Sequence, residues 1–571
     1  MSRAERAGTL RLGRLSLRLE LPSPAVFLGG LIVAQFAALG VFVATVRHNG
    51  WLFYQGGDQT FYYTTAWLVS HWHLPTTPIG YGWSYLTSPI ALGAGSDILD
   101  ALPALLLVQV IVLLPIALLC VYGIASRLGG RVLGYLAATL WVAAPYAVIP
   151  LWDQRYHQKW IELFLPQALG LTNLADFPSM VCLLVAAYFT FRALDDRSWH
   201  AVAAAGLAAG FAVGIKPGNG IFLGGPLLAF LLARRWRHLV LFGAAAAPAL
   251  LTLAVWKERG LGVTPALAYG DSRYAAAILP IASALSPVTK YVHIDWGQLG
   301  HNLDITREFF WSVRPLEYLP FAGVVAVARR SVPKAALLAV WFFGFLLIKG
   351  SASQANVEDS SFFRLMMPAF PAYLLLAASI PLLVPAFGPR LAERFPPGRR
   401  QFLGTRSLAA AAVVFGLIPL VVVAALRSND SARAVKYFDQ GVFVPVSPQF
   451  RPTASTNAGR VVVRWHAIAA PVPHFYRVLR SRTFDPAPRI DASTPAHEGV
   501  QCLRARSSRG ALDCRLSMDT VGVTSSPQVT DNPGPGHWTY RIGLSANWLD
   551  DITLGDVLLV SPPVNVIVGG Q

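Results

Sequence analysis

The stretch that decides the fold is ALPALLLVQVIVLLPIALLCVYGIA, residues 101–125, which contains no charged residue. Crossing the hydrocarbon core of a bilayer takes a helix of about 20 mostly apolar residues. Two further stretches repeat the pattern: AVFLGGLIVAQFAALGVFVATV at residues 25–46 and LAAAAVVFGLIPLVVVAAL at residues 408–426. No soluble core needs so many runs of this length. The chain is therefore expected to be a polytopic integral membrane protein.

Composition agrees with this expectation. Hydrophobic residues make up 54% of the chain and charged residues only 13%, whereas a soluble globular protein carries about 25% charged residues. The apolar runs predict about 11 membrane spans. They lie near residues 25–46, 101–125, 132–151, 177–194, 201–215, 220–233, 238–256, 316–329, 335–350, 368–386 and 408–426.

Basic residues cluster in short gaps between the apolar runs, and these gaps alternate with longer, aromatic and acidic ones. Lys and Arg in short loops mark the cytoplasmic side of a membrane protein. The net charge of +17 is thus explained by membrane topology, and we expect no nucleic-acid partner. The Ala- and Arg-rich composition favours a bacterial plasma membrane, with the basic residues 1–24 in the cytoplasm. The clusters are Arg127 and Arg131; Arg192 and Arg197; Arg234, Arg235 and Arg237; and Arg329, Arg330 and Lys334.

This topology predicts three segments on the outer face, at residues 47–100, 152–176 and 257–317. Within them, Gly57–His73 and Gln154–Leu169 have helical periodicity with aromatic faces. Such a pattern is typical of helices that lie in the membrane interface.

The composition changes after residue 427, where the predicted transmembrane domain (residues 25–427) ends. Residues 428–571 contain short alternating stretches separated by Pro, Gly, Asn and Asp, which predict an extracytoplasmic β-sandwich. Its aromatic residues Trp465, Tyr476 and Trp538 give it a resemblance to fibronectin type III or immunoglobulin-like domains. A disulfide would persist outside the cell. The predicted strands are Arg460–His466, Phe475–Arg480, Trp538–Leu544 and Asp556–Val560, and the predicted disulfide joins Cys502 to Cys514.

The first outer segment carries an informative motif, GGDQTFYYTTAW at residues 56–67, followed by PIGYGW at residues 78–83. Asp58 and Tyr62 match the Asp-x-x-x-Tyr motif of GT-C glycosyltransferases, and Tyr81 lies in a Gly-Tyr-Gly version of their Gly-Tyr-Pro-like turn. The sequence resembles the branch of that class that includes protein O-mannosyltransferases and the aminoarabinose lipid A transferase.

Three later segments extend the resemblance in the same order, over about residues 25–430. No single motif is specific, and the order of all of them on one side of the membrane carries the comparison. The segments are NLADFPSM at residues 173–180 with Asp176, GFAVGIKP at residues 210–217 with Lys216, and FRLMMPAFP at residues 363–371 with Arg364.

The resemblance implies inverting transfer of a sugar from a polyprenyl-phosphate donor, in membrane lipid, to a glycan, lipid or protein acceptor on the outer face. Asp58 is the candidate base that takes the acceptor proton, with Asp176 as a second catalytic candidate. Fixed cations would stabilise the departing phosphate. No metal site is predicted, because His71 and His73 lack a third ligand, although a divalent metal stays open as a cofactor. The candidate donor-binding residues are Arg364, Arg155, His157, Lys159, Tyr62, Tyr81 and Lys216.

Other interpretations stay open at this point. Asp58 and Asp176 could cap helices, and Arg364 could extend to the membrane interface only to reach water. The whole chain could be a transporter or lipid flippase, although it shows no convincing internal repeat. It could also be an envelope adhesion or scaffolding protein that works through its C-terminal domain. The identities of the sugar and the acceptor are not in the sequence.

Overall fold

The structure is a computed structural model in which helices dominate up to residue 427 and strands dominate beyond it. The residues that it describes are 7–12, 15–48, 52–54, 58–72, 74–75, 79–95, 98–147, 154–261, 294–309, 314–358, 361–385, 396, 404–427, 437–438, 447–469, 474–482, 500–504, 512–517, 519–546 and 557–569.

The helical part begins with the span expected at residues 25–46. Short π-helical or 3₁₀-helical turns join several of the later helices. The α-helices are α1 (Pro24–Thr45), α2 (Asp58–Ser70), α3 (Tyr81–Ala94), α4 (Ile98–Val108), α5 (Leu114–Ala147), α6 (Gln154–Lys159), α7 (Leu165–Ala168), α8 (Asp176–Asp196), α9 (Trp199–Ile215), α10 (Gly220–Leu232), α11 (Trp236–Leu261), α12 (Trp296–Phe309), α13 (Pro315–Ala328), α14 (Val332–Lys349), α15 (Ser361–Met366), α16 (Phe370–Ala378), α17 (Thr405–Ala412) and α18 (Ile418–Ala425).

The predicted polytopic helical fold is confirmed. Each predicted span falls on a helix, and Ile98–Ala147 contains two of them because the chain breaks at Gly129 and Gly130, the latter with φ of 80°. Three shorter apolar helices, Trp199–Ile215, Pro217–Leu232 and Pro315–Ala328, carry further predicted spans. Seven stretches in the described part of the chain are long and apolar enough to cross a membrane: Pro24–Thr45, Ile98–Ala147, Asp176–Asp196, Trp236–Arg259, Val332–Lys349, Ser361–Ala378 and Thr405–Ala425.

Helices also form in the predicted outer segments. Both stretches that were expected to be interfacial helices are helical, as α2 and as the turns from α6 to α7, and their position in the membrane interface stays a prediction. Helix α3 follows α2 within residues 47–100 and was not predicted. Of the third outer segment, residues 262–293 and 310–313 lie outside the described residues.

A β-hairpin near the N-terminus is a second element that the sequence reasoning missed. Strand β1 (Ala7–Leu12) pairs antiparallel with β2 (Leu15–Glu20), with Leu12 opposite Leu15. The signal is the alternation of leucines with polar residues in TLRL and LSLRLE.

The C-terminal part is a β-domain with mostly antiparallel pairing. Strands β4, β5 and β10 form one sheet, and β6, β9, β11, β12 and β13 form another. A third sheet pairs β3, β8 and β7. The strands are β3 (Tyr437–Phe438), β4 (Thr453–Asn457), β5 (Arg460–Arg464), β6 (His474–Arg482), β7 (Val500–Arg504), β8 (Leu512–Ser517), β9 (Asp519–Thr524), β10 (Gln528–Asp531), β11 (Gly536–Ala546), β12 (Val557–Val560) and β13 (Val564–Val568).

Aromatic residues lie in the core of this domain, as its sequence indicated. The rings of Trp465 and Tyr476 meet edge to face at 5.3 Å between centroids. Arg480 and the Tyr540 hydroxyl both donate to Asp531, at 3.0 and 2.6 Å. Burial, followed by the hydrogen bond to Asp531, raises the pKa of Tyr540, so the phenol stays a donor.

The backbone of the predicted cysteine pair favours a bridge. Strands β7 and β8 are antiparallel, and Cys502 lies directly opposite Cys514 in their register. The two side chains lie outside the described part of the structure, so the disulfide stays a prediction. Cys120 and Cys182, by contrast, are free thiols in the helical part.

Candidate active site

Four charged side chains from distant parts of the chain meet on one side of the helical domain. The Arg364 guanidinium forms salt bridges with both Asp58 and Asp176, the latter at 3.2 Å from Nε to Oδ2. The ammonium of Lys216 pairs with the other oxygen of Asp176. The sequence named all four residues as site candidates, and the fold brings them together.

The two carboxylates lie at similar points of different helices. Asp58 is the first residue of α2 and Asp176 is the first residue of α8. The positive end of a helix dipole favours an ionised carboxylate at this position. Their surroundings differ, since the Asp58 side chain is 41% exposed and that of Asp176 is completely buried.

Asp176 is not a helix cap, and Arg364 does not merely reach for water. The N-cap of α8 is Ala175, which makes no side-chain cap, and both oxygens of Asp176 are taken by cations. Arg364 is directed to two carboxylates within the protein. These contacts exclude the capping interpretation of Asp176 and the interfacial interpretation of Arg364.

A buried polar network fixes the starts of α2 and α8 relative to each other. The Asn173 backbone N–H donates to Gln59 Oε1 at 3.0 Å, and the Asn173 side chain donates to the Gln59 carbonyl oxygen at 3.1 Å. Trp83 Nε1 donates to Asn173 Oδ1 at 3.2 Å. Because Gln59 follows Asp58 directly and Asn173 precedes Asp176 by one turn, the network holds the two carboxylates in a defined relation.

Lys216 is positioned by a close backbone contact. It follows α9, where the Gly80-Tyr81-Gly82 turn packs on Gly214 and Ile215. A Cβ on Gly80 would clash with the Gly214 and Ile215 carbonyl oxygens. Only glycine fits at this contact, so the glycines of the motif fix the position of the backbone that leads into Lys216.

The two candidate tyrosines occupy different surroundings. Tyr62 is buried beside the Arg364 guanidinium, one helical turn after Asp58. Tyr81 is buried between α9 and α11, and its hydroxyl donates to the Ala249 carbonyl oxygen at 3.4 Å. Tyr81 therefore packs the scaffold behind Lys216 and does not join the charged cluster.

The remaining candidate cations lie on α6. Lys159 donates to the Glu358 carbonyl oxygen at 2.9 Å, on the loop that leads to Arg364. His157 is partly exposed, and the side chain of Arg155 lies outside the described residues. In the part of the chain that the structure describes, His157 forms no hydrogen bond or salt bridge with Asp58 or Asp176.

Lys349 is a cation of the site that the sequence reasoning missed. Lys349 is the last residue of α14. Its ammonium packs on Gly218, two residues after Lys216, and lies 2.8 Å from the position that a Cβ on Gly218 would take. The charges of Lys349 and Lys216 repel each other. A basic residue at the end of an apolar run was the available signal, but interfacial lysines are common.

An apolar cavity opens beside Arg364. Its volume is about 110 Å³, and it is lined mainly by aromatic and aliphatic side chains of α5, α14, α15 and the turns around α7. Phe363, directly before Arg364, and Met366, two residues after it, both line the cavity. Phe363 also packs edge to face on Trp160 at 5.7 Å.

No group of three His, Cys, Asp or Glu side chains suited to a metal occurs in the described ranges. Within the cluster, the two carboxylates are bridged by the Arg364 guanidinium.

The sequence model of the dolichyl-phosphate-mannose-protein mannosyltransferase family matches residues 162–257. This segment includes Asp176 and Lys216, and the match confirms the predicted resemblance there. No curated protein sequence matches the chain.

Solved membrane glycosyltransferases are similar in structure at low sequence identity. One is archaeal oligosaccharyltransferase AglB from Archaeoglobus fulgidus in complex with an inhibitory peptide and a dolichol-phosphate (16% identity, 70% of this chain, 55% of that chain, TM-score 0.38). A second is the same organism's oligosaccharyltransferase tethered with an acceptor peptide (15% identity, 71% of this chain, 55% of that chain, TM-score 0.42). A third is ArnT from Cupriavidus metallidurans in the apo state (16% identity, 68% of this chain, 63% of that chain, TM-score 0.37). This chain spans less than two thirds of each.

Proposed function

We propose that this protein transfers a sugar, with inversion, from a polyprenyl-phosphate donor to an acceptor hydroxyl on the outer face of the membrane. The observation that carries the proposal is the cluster of Asp58, Asp176, Arg364 and Lys216. There the partly exposed Asp58 pairs with Arg364, and the buried Asp176 holds both Arg364 and Lys216 in position. The mannosyltransferase family match over residues 162–257 supports a glycosyltransferase.

The chemistry divides between the two acids. The acceptor oxygen attacks the anomeric carbon, its proton passes to Asp58, and the bond from that carbon to the phosphate oxygen breaks. The leaving phosphate gains negative charge, which Arg364 and Lys216 stabilise in a site shielded from water. Asp176 stays ionised between these two cations and keeps them aligned.

The salt bridge between Arg364 and Asp58 implies an order of events. While Arg364 is bonded to Asp58, this carboxylate is not free to take the proton of the acceptor. The donor phosphate competes with Asp58 for Arg364 and offers a stronger, bidentate partner. Donor binding thereby releases Asp58 to accept the proton of the acceptor, so the base becomes active only when the donor is present.

The apolar cavity supports a lipid-linked donor. A polyprenyl chain has no hydrogen-bonding groups, and the cavity wall beside Phe363 and Met366 is almost entirely apolar. Because the cavity is adjacent to Arg364, a chain lying in it would bring its phosphate to the cations.

The test is transfer of a labelled sugar by the purified protein. Protein in lipid vesicles is incubated with radiolabelled polyprenyl-phosphate sugar and a membrane extract as a source of acceptors. We expect label to leave the donor and appear in a water-exposed product, in proportion to protein. A transporter or flippase would move the labelled lipid between leaflets without cleaving it. Intact donor after prolonged incubation, alongside such movement, would contradict the proposal.

A further inference from the structure

A second group of charges lies at the far end of α8. This helix has 21 residues, and at 1.5 Å rise per residue its ends are about 30 Å apart. Asp195 and Asp196 therefore lie at the membrane face opposite Asp176. Each is held by two cations: Arg127 of α5 and Lys334 of α14 hold Asp195, and Arg127 and Arg192 of α8 itself hold Asp196. The pairs are Arg127–Asp195 at 3.1 Å, Lys334–Asp195 at 2.7 Å, Arg127–Asp196 at 3.3 Å and Arg192–Asp196 at 3.3 Å.

Two additional arginines lie at the same end of α8, beside this network. Arg197 follows α8 in a left-handed conformation and is exposed. Arg235 precedes α11 and donates from Nη1 to the Ala193 carbonyl oxygen at 2.6 Å, which leaves its other N–H groups available. Within the described ranges of the chain, neither forms a salt bridge with a carboxylate. Partial burial and the nearby Arg197 charge lower the pKa of Arg235.

Exposed tryptophans flank both arginines. Trp199 is 51% exposed and Trp236 is 61% exposed, and they begin α9 and α11. Tryptophan is enriched at the depth of lipid headgroups, where its ring contacts acyl chains and its N–H contacts water. The arginine pair therefore lies in the headgroup layer, where anionic phosphates are abundant.

We propose that Arg197 and Arg235 form a binding site for the phosphate of an anionic membrane phospholipid, on the face opposite the sugar-transfer site. The Asp195 carboxylate acts on Arg235 only from a distance, without a salt bridge. A shared phosphate, which accepts several N–H bonds, would relieve the repulsion between the two guanidinium groups. The Asp195 and Asp196 network keeps the surrounding helix ends in place. The acyl chains of the same lipid would lie along the apolar surface beside Trp199 and Trp236. Basic pockets between helices on the cytoplasmic side recognise such headgroups.

The experiment measures thermal unfolding of the full chain in detergent with added lipid. Phosphatidylglycerol should raise the unfolding midpoint of the natural protein, because a ligand of the folded state stabilises it. Phosphatidylcholine or inorganic phosphate should raise it much less. The variant Arg197→Gln/Arg235→Gln should lose at least half of the phosphatidylglycerol effect. The matched control Arg234→Gln/Arg237→Gln removes the same charge from exposed neighbours and should keep the effect.

A second variant guards against a folding defect. Arg197→Gln alone leaves the hydrogen bond from Arg235 to Ala193 intact, and it should still weaken the lipid effect. Equal responses of the pair variant and its control would mean that charge alone attracts the lipid, and the site would be refuted. An equal rise with inorganic phosphate would assign the arginines to a free anion and would also refute a lipid site.

Discussion

Two aspartates of one cluster differ in their surroundings, and the difference assigns them different roles. Asp58 is 41% exposed and pairs with one cation, whereas Asp176 is fully buried and pairs with two. A general base must be reachable by the substrate hydroxyl. A buried carboxylate between two cations cannot gain a proton without breaking both pairs. In the proposed reaction, Asp58 is therefore our candidate for the reactive acid and Asp176 for the positioning acid.

The first prediction concerns Asp58→Asn, which keeps the size of the side chain but cannot accept the proton. Turnover should fall about 100- to 10,000-fold, the usual contribution of general base catalysis. Donor binding should be retained or become tighter, because Arg364 and Lys216 remain and the neutral amide competes less with the donor phosphate for Arg364. Transfer of labelled sugar and binding of labelled donor measure the two effects. Asp100→Asn is the matched control, since Asp100 is an exposed acid in the first turn of α4. Turnover of Asp58→Asn within a few-fold of the control would exclude Asp58 as the base.

The second prediction separates the two aspartates by stability. Asp176→Asn leaves Lys216 and Arg364 without their buried partner, and removing one member of a buried ion pair costs about 3–5 kcal/mol. Asp58→Asn removes a partly exposed pair and should cost about 1 kcal/mol or less. Thermal unfolding of both purified variants gives the comparison. Equal midpoints would show that Asp176 is not the structural centre of the cluster.

At the scale of elements, close helix contacts set the position of Lys216. Helix α9 approaches α11 so closely that a Cβ on Gly210 would lie 2.7 Å from the Ala246 carbonyl oxygen. At its outer end, Gly214 packs against Tyr81, whose side chain lies between α9 and α11. The turn at residues 80–82 and the end of α9 therefore form one rigid unit directly before Lys216.

The third prediction tests that unit with Gly80→Ala. The added methyl group clashes with backbone atoms of Gly214 and Ile215, which cannot move as a flexible side chain would. Overpacking of this kind costs about 1–3 kcal/mol, and the shift of Lys216 should also weaken donor binding. Gly93→Ala in α3 is the control, because no atom lies within 4 Å of its Cβ position. If the two variants match in unfolding midpoint and donor binding, the close contact has no role.

The fourth prediction is the bridge between strands β7 and β8. Their register makes Cys502 and Cys514 direct partners, and closing this short loop should stabilise the domain by about 3 kcal/mol in the chain-entropy model. Mass spectrometry of peptides from non-reduced protein should find the two cysteines linked. Two thiols that alkylate freely without reductant would refute the bridge.

At the scale of the whole molecule, the end of the helical domain is bonded to the segment that follows α2 and to α11. The Arg427 backbone N–H donates to the Trp72 carbonyl oxygen at 2.8 Å, and Leu74 donates back to Arg427 at 3.0 Å. Arg259 of α11 donates to the last carbonyl oxygens of α18, including that of Leu426 at 2.6 Å. The helical domain thus ends, at residue 427, beside the end of the helix that carries Asp58.

The fifth prediction concerns membrane topology. The basic gaps predict that the break at Gly129 faces the cytoplasm, whereas the β-domain and Asp58 face the outside. Reporter fusions at Gly129 and Gly570 should give opposite signals with an enzyme that is active on only one side. Matching signals would overturn both the topology and the assignment of sugar transfer to the outer face.

The sequence by itself determined the class of the molecule and the positions of most of its elements. A bilayer demands long apolar runs, and a half-buried strand demands alternation. Both signals are local, so α1 and β11 could be predicted directly. Helix α3 could not be predicted in this way, because its 14 residues are too few to span a bilayer and because it begins within the Gly80-Tyr81-Gly82 turn. The N-terminal hairpin was not predicted, because the basic residues of this segment were interpreted only as a signal of membrane topology.

Only the tertiary structure decided which residues form the site. Asp58 and Arg364 are 306 positions apart, and no local pattern states that they pair. The motifs identified both as candidates, but the fold showed that one guanidinium bridges Asp58 and Asp176. The fold also placed Tyr81 in the packing behind Lys216. It placed Lys349 beside the segment that follows Lys216. The physical reason is that hydrophobic patterning acts along the chain, whereas a charge inside a protein must find its partner in space.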